Sequence, residues 1–136
     1  MRERHERGLL DTSVVLDLDQ IDPDLLPRES AIAAITLAEL AAGPHATADP
    51  AERGRRQDRL QQVERTFDAL PFDDGAARAY GRIFAMTMAR GRKARGGRMA
   101  DLLIAATAAS VGLPVFTRNP RDFAGLGEVV VVVEVP

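Results

Sequence analysis

The chain has 136 residues, of which 46% are hydrophobic and 28% charged, and its formal net charge is −2. This length predicts a single domain with its own core, and the lack of cysteine excludes disulfides, thiolate metal sites and a cysteine nucleophile. The charged start is not followed by an apolar stretch long enough for a signal peptide or a membrane span, so we expect a cytoplasmic protein without a membrane partner.

The first predicted strand ends at a carboxylate. We expect a polar tail over residues 1–8 and the folded domain over residues 9–136, beginning with a buried strand that ends at Asp11 and runs into a helix. Ligands bind beyond the carboxyl ends of the strands of a parallel sheet, so Asp11 lies where a site is expected. Asp11 or Thr12 would equally fit the N-cap of the helix, and both roles stay open.

A second carboxylate follows the second predicted strand. The apolar run at 31–35 predicts that strand, and a helix starts directly after it. Thr36 and Glu39 have the Thr-x-x-Glu spacing of a capping box, in which the glutamate returns to the backbone of the first residue. A capping role and a site role for Glu39 therefore stay open.

The middle of the chain predicts two amphipathic helices. Apolar residues recur every three or four positions between 51 and 70, residues 70–72 could form a short strand, and another helix begins at Asp73 and Asp74. We expect the buried stripe of that later helix to contain Ala77, Tyr80, Phe84 and Met88. Tyr80 and Phe84 are interpreted as core residues rather than as platforms for stacking bases.

A basic segment precedes the last long helix. Seven basic residues and no acidic residue lie between Arg78 and Arg98, and residues 90–98 are predicted to form an exposed loop. Its cations either contact the phosphates of a nucleic acid or are simply solvated. The candidates for backbone contact are Arg90, Arg92, Lys93, Arg95 and Arg98.

The last third of the chain completes an alternation of strands and helices. Residues 99–109 predict a helix that is apolar on nearly every side and hence buried, with Asp101 in its first turn, where the helix dipole favours an anion. A carboxylate among such apolar neighbours is partly desolvated and needs a cation. Strands at 115–117 and 129–133 follow, which indicates an α/β sandwich with a mostly parallel central sheet flanked by helices.

Acidic side chains therefore recur near the ends of successive strands. Asp11, Glu39 and Asp101 occupy such places, and Asn119 or Asp122 follows the strand at 115–117. Grouped carboxylates repel one another unless a cation lies among them, and oxygen ligands suit Mg²⁺ or Mn²⁺ rather than Zn²⁺.

Four motifs resemble those of the PIN-domain ribonucleases, and within them the VapC-type toxins of bacterial toxin–antitoxin modules. They are Leu-Asp-Thr-Ser at 10–13, Thr-Leu-Ala-Glu-Leu at 36–40, Asp-Leu-Leu-Ile-Ala-Ala-Thr-Ala at 101–108 and Thr-Arg-Asn-Pro-Arg-Asp-Phe at 117–123. The resemblance spans almost the whole chain. It implies a PIN-like three-layer sandwich, a Mg²⁺-dependent endoribonuclease that acts on structured RNA, neutralisation by a cognate antitoxin, and a homodimer.

The resemblance also implies roles for single residues. Asp11, Glu39 and Asp101 match the acids that bind the metal ion in the family. Many relatives have a further acid two residues after the threonine that matches Thr117, where this chain has Asn119. Asn119 could line the site and ligate the ion or orient a water, or Asp122 could supply the fourth catalytic acid, and both alternatives stay open. The hydroxyl residues that match those lining the family's site are Thr12, Ser13 and Thr117.

Three other functional classes have partial support in the sequence. A signalling receiver domain needs a lysine after its fifth strand, whereas the single lysine of this chain, Lys93, lies in the basic segment. An Asp-x-Asp phosphatase motif at 17–19 would lie inside the first helix rather than after a strand. A non-catalytic PIN module that binds RNA or a protein stays open, because Asn119 replaces an acid.

Overall fold

A computed structural model describes residues 4–91 and 97–136 of the chain. Within these residues, all strand pairings are parallel and one sheet forms in the order β3-β2-β1-β4-β5. The strands are β1 (Arg7–Leu10), β2 (Glu29–Ala33), β3 (Ala69–Leu70), β4 (Val115–Thr117) and β5 (Val132–Glu134). The helices are α1 (Thr12–Leu16), α2 (Ala34–Ala42), α3 (Pro50–Thr66), α4 (Asp74–Ala89) and α5 (Gly97–Ser110).

The sheet separates two hydrophobic cores, because successive side chains of a strand point to opposite faces. Leu9 of β1 packs in the core formed with α4 and α5. The next residue, Leu10, packs in the core formed with α1, α2 and α3. Helices therefore cover both faces of the sheet, which confirms the predicted three-layer α/β sandwich.

The order of the strands reverses beside β1. The chain passes from β1 outward to β2 and β3, and then returns to place β4 on the other side of β1. A crevice forms outside the carboxyl ends of the strands at such a reversal, and ligands bind there in open parallel sheets. The residues that follow β1 and β4 therefore lie at the place where this fold can form a site.

Residues 4–8 differ from the polar tail that the sequence predicts over residues 1–8. The first strand already begins at Arg7, and the ring of His5 packs edge-on against Phe116 with 5.5 Å between ring centroids. The backbone of residues 4–8 extends the sheet beyond its apolar part, because the carbonyls of His5 and Glu6 accept hydrogen bonds from the segment entering β2. The polar composition of this segment does not reveal that its backbone pairs with a neighbouring strand.

Three further strands are displaced from their predicted bounds. The strands expected at 31–35, 70–72 and 129–133 lie at Glu29–Ala33, Ala69–Leu70 and Val132–Glu134, whereas the strand at 115–117 is confirmed. The displacements follow the register of the sheet, in which Glu29 of β2 pairs with Arg7 of β1. The partner strand, rather than the apolar run itself, sets where each strand begins.

The buried face of α4 differs from the predicted stripe. The buried residues are Ala76, Ala79, Ile83 and Thr87, one position before the predicted set. Phe84 and Met88 are 41% and 50% exposed, so the interpretation of Phe84 as a core residue is wrong, while Tyr80 is half-buried against the core. Both sets have helical spacing, and the small alanines allow α4 to pack closely against α5.

The helix predicted at 99–109 is confirmed as buried and begins earlier, at Gly97. Its Leu102, Ile104 and Ala105 are fully inaccessible to solvent. Of the basic candidates, Arg92, Lys93 and Arg95 lie outside the described residues, whereas Arg90 and Arg98 lie within them. Across residues 4–91 and 97–136, no helix is both long and apolar enough to cross a membrane.

Candidate acidic active site

Asp11 follows β1 directly and is only 3% exposed. Its Oδ1 accepts a hydrogen bond from the backbone N–H of Val14 at 3.2 Å, so it caps α1, and another from Ser13 Oγ at 2.6 Å. The hydroxyl of Thr117, at the end of β4, is also hydrogen-bonded to Asp11. Burial raises the pKa of the Asp11 carboxyl, and the hydrogen bonds from Ser13 and Thr117 partly oppose that rise. The capping role is confirmed, and it coincides with the position at the carboxyl edge of the sheet.

Glu39 is an exposed residue of α2 and takes no part in a capping box. Because β2 ends at Ala33, the helix starts at Ala34, and its N-cap makes no side-chain hydrogen bond. Thr36 therefore lies inside the helix and is fully buried, which contradicts the capping alternative. Instead, the hydroxyl of Thr12 donates to Glu39 Oε1 at 2.7 Å and lies 3.0 Å from Thr36 Oγ1. This contact holds Glu39 beside the start of α1.

Asp101 is half-buried on α5, and because this helix begins at Gly97, Asp101 lies in the second turn rather than in the first turn that the sequence predicts. Its pKa is raised to about 7, first by burial and then by the negative charges of Asp122, Asp11 and Glu39, while Arg98 lowers it. The other three carboxylates therefore lie near enough to Asp101 for their charges to act on it. The fold thus brings together the four acids that the sequence pattern singled out.

Asp122 lies in a 3₁₀ turn formed by Pro120–Phe123, whose last side chain is buried. Its charge is the largest carboxylate contribution to the raised pKa of Asp101, ahead of Asp11. Asn119 is an exposed residue that precedes this turn, and its backbone N–H donates to Thr117 Oγ1 at 2.9 Å. The turn therefore presents Asp122 toward Asp101.

The chemistry of these side chains fits a hard divalent cation. Their donors are carboxylate and hydroxyl oxygens, which Mg²⁺ and Mn²⁺ prefer, and a cation would relieve the repulsion that acts on Asp101. As placed, however, no three Asp, Glu or His side chains of the described residues converge closely enough to hold an ion.

Two of the arginines predicted to contact RNA lie within the described residues. Arg98 stands one turn before Asp101 on α5 and lowers its pKa; its Nε is buried and has no hydrogen-bond partner among the described residues. The side chain of Arg90, at the end of α4, passes over Gly125, where a Cβ would come within 2.3 Å of Arg90 Cδ. Gly125 therefore leaves room for Arg90 beside the segment that carries Asp122.

Two features of the site lay outside the sequence-based prediction. The spacing of Thr36 and Glu39 predicts a helix cap rather than a site role for Thr36. The signal for a site role is that its hydroxyl lies one helical turn before Glu39. Arg118 bonds to Ser13 and Asp17, more than a hundred residues away. No pattern in the sequence indicates that second contact.

Comparison with known proteins identifies relatives over nearly the full length. Residues 9–129 match the PIN domain family. The chain is 41% identical over 122 residues to Ribonuclease VapC5 of Mycobacterium tuberculosis, covering 88% of this chain and 87% of that protein. It is 32% identical over 129 residues to Ribonuclease VapC of Rickettsia bellii, covering 93% and 86%.

The fold is also shared with solved structures. The crystal structure of VapBC-5 from Mycobacterium tuberculosis, a member of the VapBC family of toxin–antitoxin systems, superposes with a TM-score of 0.83 at 39% identity and covers 96% of this chain and 99% of that chain. FitAcB from Neisseria gonorrhoeae superposes with a TM-score of 0.69 at 30% identity, covering 93% and 96%.

Proposed function

The chain belongs to the PIN-domain family, and on this premise we propose that it is a VapC-type ribonuclease toxin whose cleavage of structured cellular RNA depends on Mg²⁺. The observation that carries the proposal is the grouping of four carboxylates at one sheet edge, where burial and the repulsion among them raise the pKa of Asp101 to about 7. Relatives named as ribonucleases, 41% and 32% identical, support the same activity. Mn²⁺ is the natural substitute ion.

The chain's own residues would prepare the site before RNA arrives. Asp11, Glu39 and Asp101 would hold the ion, and Asp122 would orient the attacking water or complete the ligand set. Bound Mg²⁺ would lower the pKa of a water molecule and neutralise charge that develops on the phosphate. The hydrogen bonds to Asp11 and Glu39 keep both carboxylates in place without help from the substrate. The hydroxyls that make these bonds belong to Thr12, Ser13 and Thr117.

Histidine chemistry is not part of this proposal. His5 packs against Phe116 on the body of the sheet, and His45 lies in the turn after α2. Neither contributes to the charges that act on Asp101. In this proposal, water and the carboxylates therefore act as the general acid and base, as in a metal-dependent nuclease.

Basic residues near the acids would hold the RNA backbone. Arg98 and Arg90 are the described candidates, and the buried, unpartnered Nε of Arg98 is a donor that a phosphate oxygen could satisfy. Arg92, Lys93 and Arg95 belong to the proposal from their sequence alone. Contacts to phosphate position a substrate without reading its sequence, so these residues would set affinity rather than target choice.

The test is cleavage of total cellular RNA by the purified protein, freed of any antitoxin. We expect discrete fragments with Mg²⁺ or Mn²⁺, none with EDTA, and none from Asp101→Asn. Asp68→Asn is the matched control, because the same chemical change there affects an exposed residue at the opposite edge of the sheet, before β3. Equal cleavage by wild type and Asp101→Asn would contradict the proposal.

A non-catalytic PIN module is the second candidate, favoured by one feature. Asn119 stands where many relatives have an acid, which removes one negative charge from the site. If the folded, Mg²⁺-loaded protein leaves RNA intact while Asn119→Asp cleaves it, the natural chain is a binding module. Cleavage by the natural chain excludes that reading.

The proposal includes partners. Structural neighbours of this fold were solved as toxin–antitoxin complexes, and we propose that a cognate antitoxin neutralises this chain and that the toxin forms a homodimer. The RNA substrate would be encountered in the cytoplasm. Co-expression with the protein encoded beside it should yield a stable complex in which RNA cleavage is suppressed.

A further inference from the structure

We propose that Arg118 is a positioning residue of the acidic centre, which clamps α1 to the end of β4 and thereby fixes the hydroxyl that holds Asp11. The inference rests on the proposed function, since it concerns the same site. Its test, however, measures metal binding without RNA, so that the two can fail independently.

Arg118 joins three segments that are distant in the sequence. Its backbone N–H donates to Ser13 Oγ at 3.1 Å, and its Nη1 donates to Asp17 Oδ2 at 2.9 Å. Its Nη2 donates to the carbonyl of Pro136 at 3.2 Å. The residue after β4 is thereby tied to both ends of α1 and to the last residue of the chain.

The contact with Ser13 directs a proton toward Asp11. A hydroxyl oxygen that accepts an N–H hydrogen bond has its own proton free to donate elsewhere, and Ser13 Oγ lies 2.6 Å from Asp11 Oδ1. The hydroxyl of Thr117 has the same arrangement, since it accepts from the backbone N–H of Asn119 and is hydrogen-bonded to Asp11. The adjacent backbone N–H groups of Arg118 and Asn119 thus orient the hydroxyls of Ser13 and Thr117 toward the buried carboxylate of Asp11.

The ion pair with Asp17 secures the far end of α1. This helix has only five residues, and so short a helix derives little stability from its own hydrogen bonds. Asp11 caps its first turn and Asp17 is its C-cap, so the Arg118–Asp17 pair restrains the end that the N-cap does not. Loss of the pair would allow α1 to tilt, which would move both Ser13 and Thr12.

The geometry favours positioning over direct contact with RNA phosphate. Both terminal nitrogens of the Arg118 guanidinium already have protein acceptors, Asp17 and the carbonyl of Pro136. The Arg118 side chain is 28% exposed and that of Asp17 is 42% exposed, so the pair is partly shielded from water and salt. A phosphate would have to displace these acceptors.

The experiment is titration of RNA-free protein with Mn²⁺ by calorimetry. We expect Arg118→Ala and Asp17→Ala each to weaken Mn²⁺ binding by about tenfold, the lower end of the range for residues that orient metal ligands. The double variant should be no weaker than either single one, because both remove the same contact. Arg118→Lys should recover part of the affinity, since a lysine can reach one of the two acceptors.

Arg28→Ala is the matched control. Arg28 forms an ion pair with Glu6 at 3.5 Å, but at the opposite edge of the sheet, before β2. Its removal should leave Mn²⁺ affinity unchanged, and circular dichroism would verify that every variant is folded. Unchanged Mn²⁺ affinity in folded Arg118→Ala and Asp17→Ala would overturn the proposal.

RNA cleavage provides a second readout. A positioning role predicts a lower kcat with little change in KM for both Arg118→Ala and Asp17→Ala. A phosphate contact would instead raise KM in Arg118→Ala alone and leave Asp17→Ala active, which would also overturn the proposal. If the wild type cleaves no RNA, the proposed function fails, while the Mn²⁺ titration still decides the role of Arg118.

Discussion

Asp11 accepts several hydrogen bonds at the end of β1, and the one from Ser13 Oγ is 2.6 Å long. We predict that Ser13→Ala weakens Mg²⁺ binding by about tenfold or more, because Asp11 loses the donor at 2.6 Å that orients it. Calorimetric titration measures this change. Ser110→Ala is the control, since the hydroxyl of Ser110 donates within its own helix, to the carbonyl of Thr107. Equal affinities of the two variants would contradict the assigned role of Ser13.

Glu39 permits a change of charge at nearly constant shape. In Glu39→Gln the side-chain amide oxygen can still accept the hydrogen bond of Thr12, now at 2.7 Å, so only the negative charge is lost. We expect Mg²⁺-dependent RNA cleavage to fall by at least about tenfold, as for other disturbed metal sites, with an unchanged Tm. Cleavage assays and thermal denaturation would show this, with Glu64→Gln on the exposed face of α3 as the control. Full RNA cleavage by Glu39→Gln would contradict a role of the Glu39 charge in the site.

The sequence could predict the acids but not the groups that hold them. Asp11 and Asp101 stand beside apolar runs, where a carboxylate is conspicuous. The bond between Ser13 and the backbone of Arg118 spans 105 positions, and it exists only because β4 lies beside β1 in the sheet. Such a contact depends on the assembled fold rather than on any local pattern.

At the scale of secondary structure elements, two glycines should respond in opposite ways to the same substitution. A Cβ at Gly8 in β1 would lie 2.5 Å from Cε1 of the buried Phe116, whereas a Cβ at Gly54 in α3 meets no other described atom within 4 Å. We predict that Gly8→Ala lowers the free energy of unfolding by about 1–3 kcal/mol through overpacking. Gly54→Ala should raise it by about 0.5–1 kcal/mol, because a helix loses less backbone entropy at alanine. Urea denaturation of both variants tests this, and a stabilised Gly8→Ala would contradict the described packing of β1 on Phe116.

Element types were predictable where periodicity was strong, and their bounds were not. The buried character of α5 follows from residues that are apolar on nearly every side. The start of α2 was missed by two positions, because β2 pairs with β1 from Glu29 onward and ends at Ala33. On α4, the position of α5 determines whether the face with Ala79 or the face with Tyr80 is buried. The spacing of apolar residues along one helix does not reveal this.

At the scale of the whole molecule, the acidic centre is a product of topology. Its carboxylates come from the end of β1, from α2, from the second turn of α5 and from the turn after β4, and the strand order brings these elements to one edge. The α/β alternation in the sequence was sufficient to predict this convergence. The same convergence makes the metal-free protein sensitive to pH, because it concentrates negative charge.

The stability of the metal-free protein should therefore fall as the pH rises. The pKa of Asp101 rises from its ordinary value of 3.8 to about 7 in the folded chain, so the folded state holds this proton more firmly than the unfolded state does. The resulting stabilisation is complete below about pH 4 and is lost as the pH rises through 7. Mg²⁺ would then replace the proton as the counter-charge, so we predict that it raises Tm more at pH 8 than at pH 5.

Thermal denaturation with Mg²⁺ or EDTA at both pH values measures this linkage, and Asp101→Asn separates its cause. The variant has no carboxyl to titrate at this position, so the dependence of its Tm on pH between 5 and 8 should be weaker than that of the wild type. Its response to Mg²⁺ should also be small at both pH values, because one ligand charge is missing. If Mg²⁺ raises the Tm by the same amount at pH 5 and pH 8, in both the wild type and Asp101→Asn, the carboxylates around Asp101 do not bind the ion.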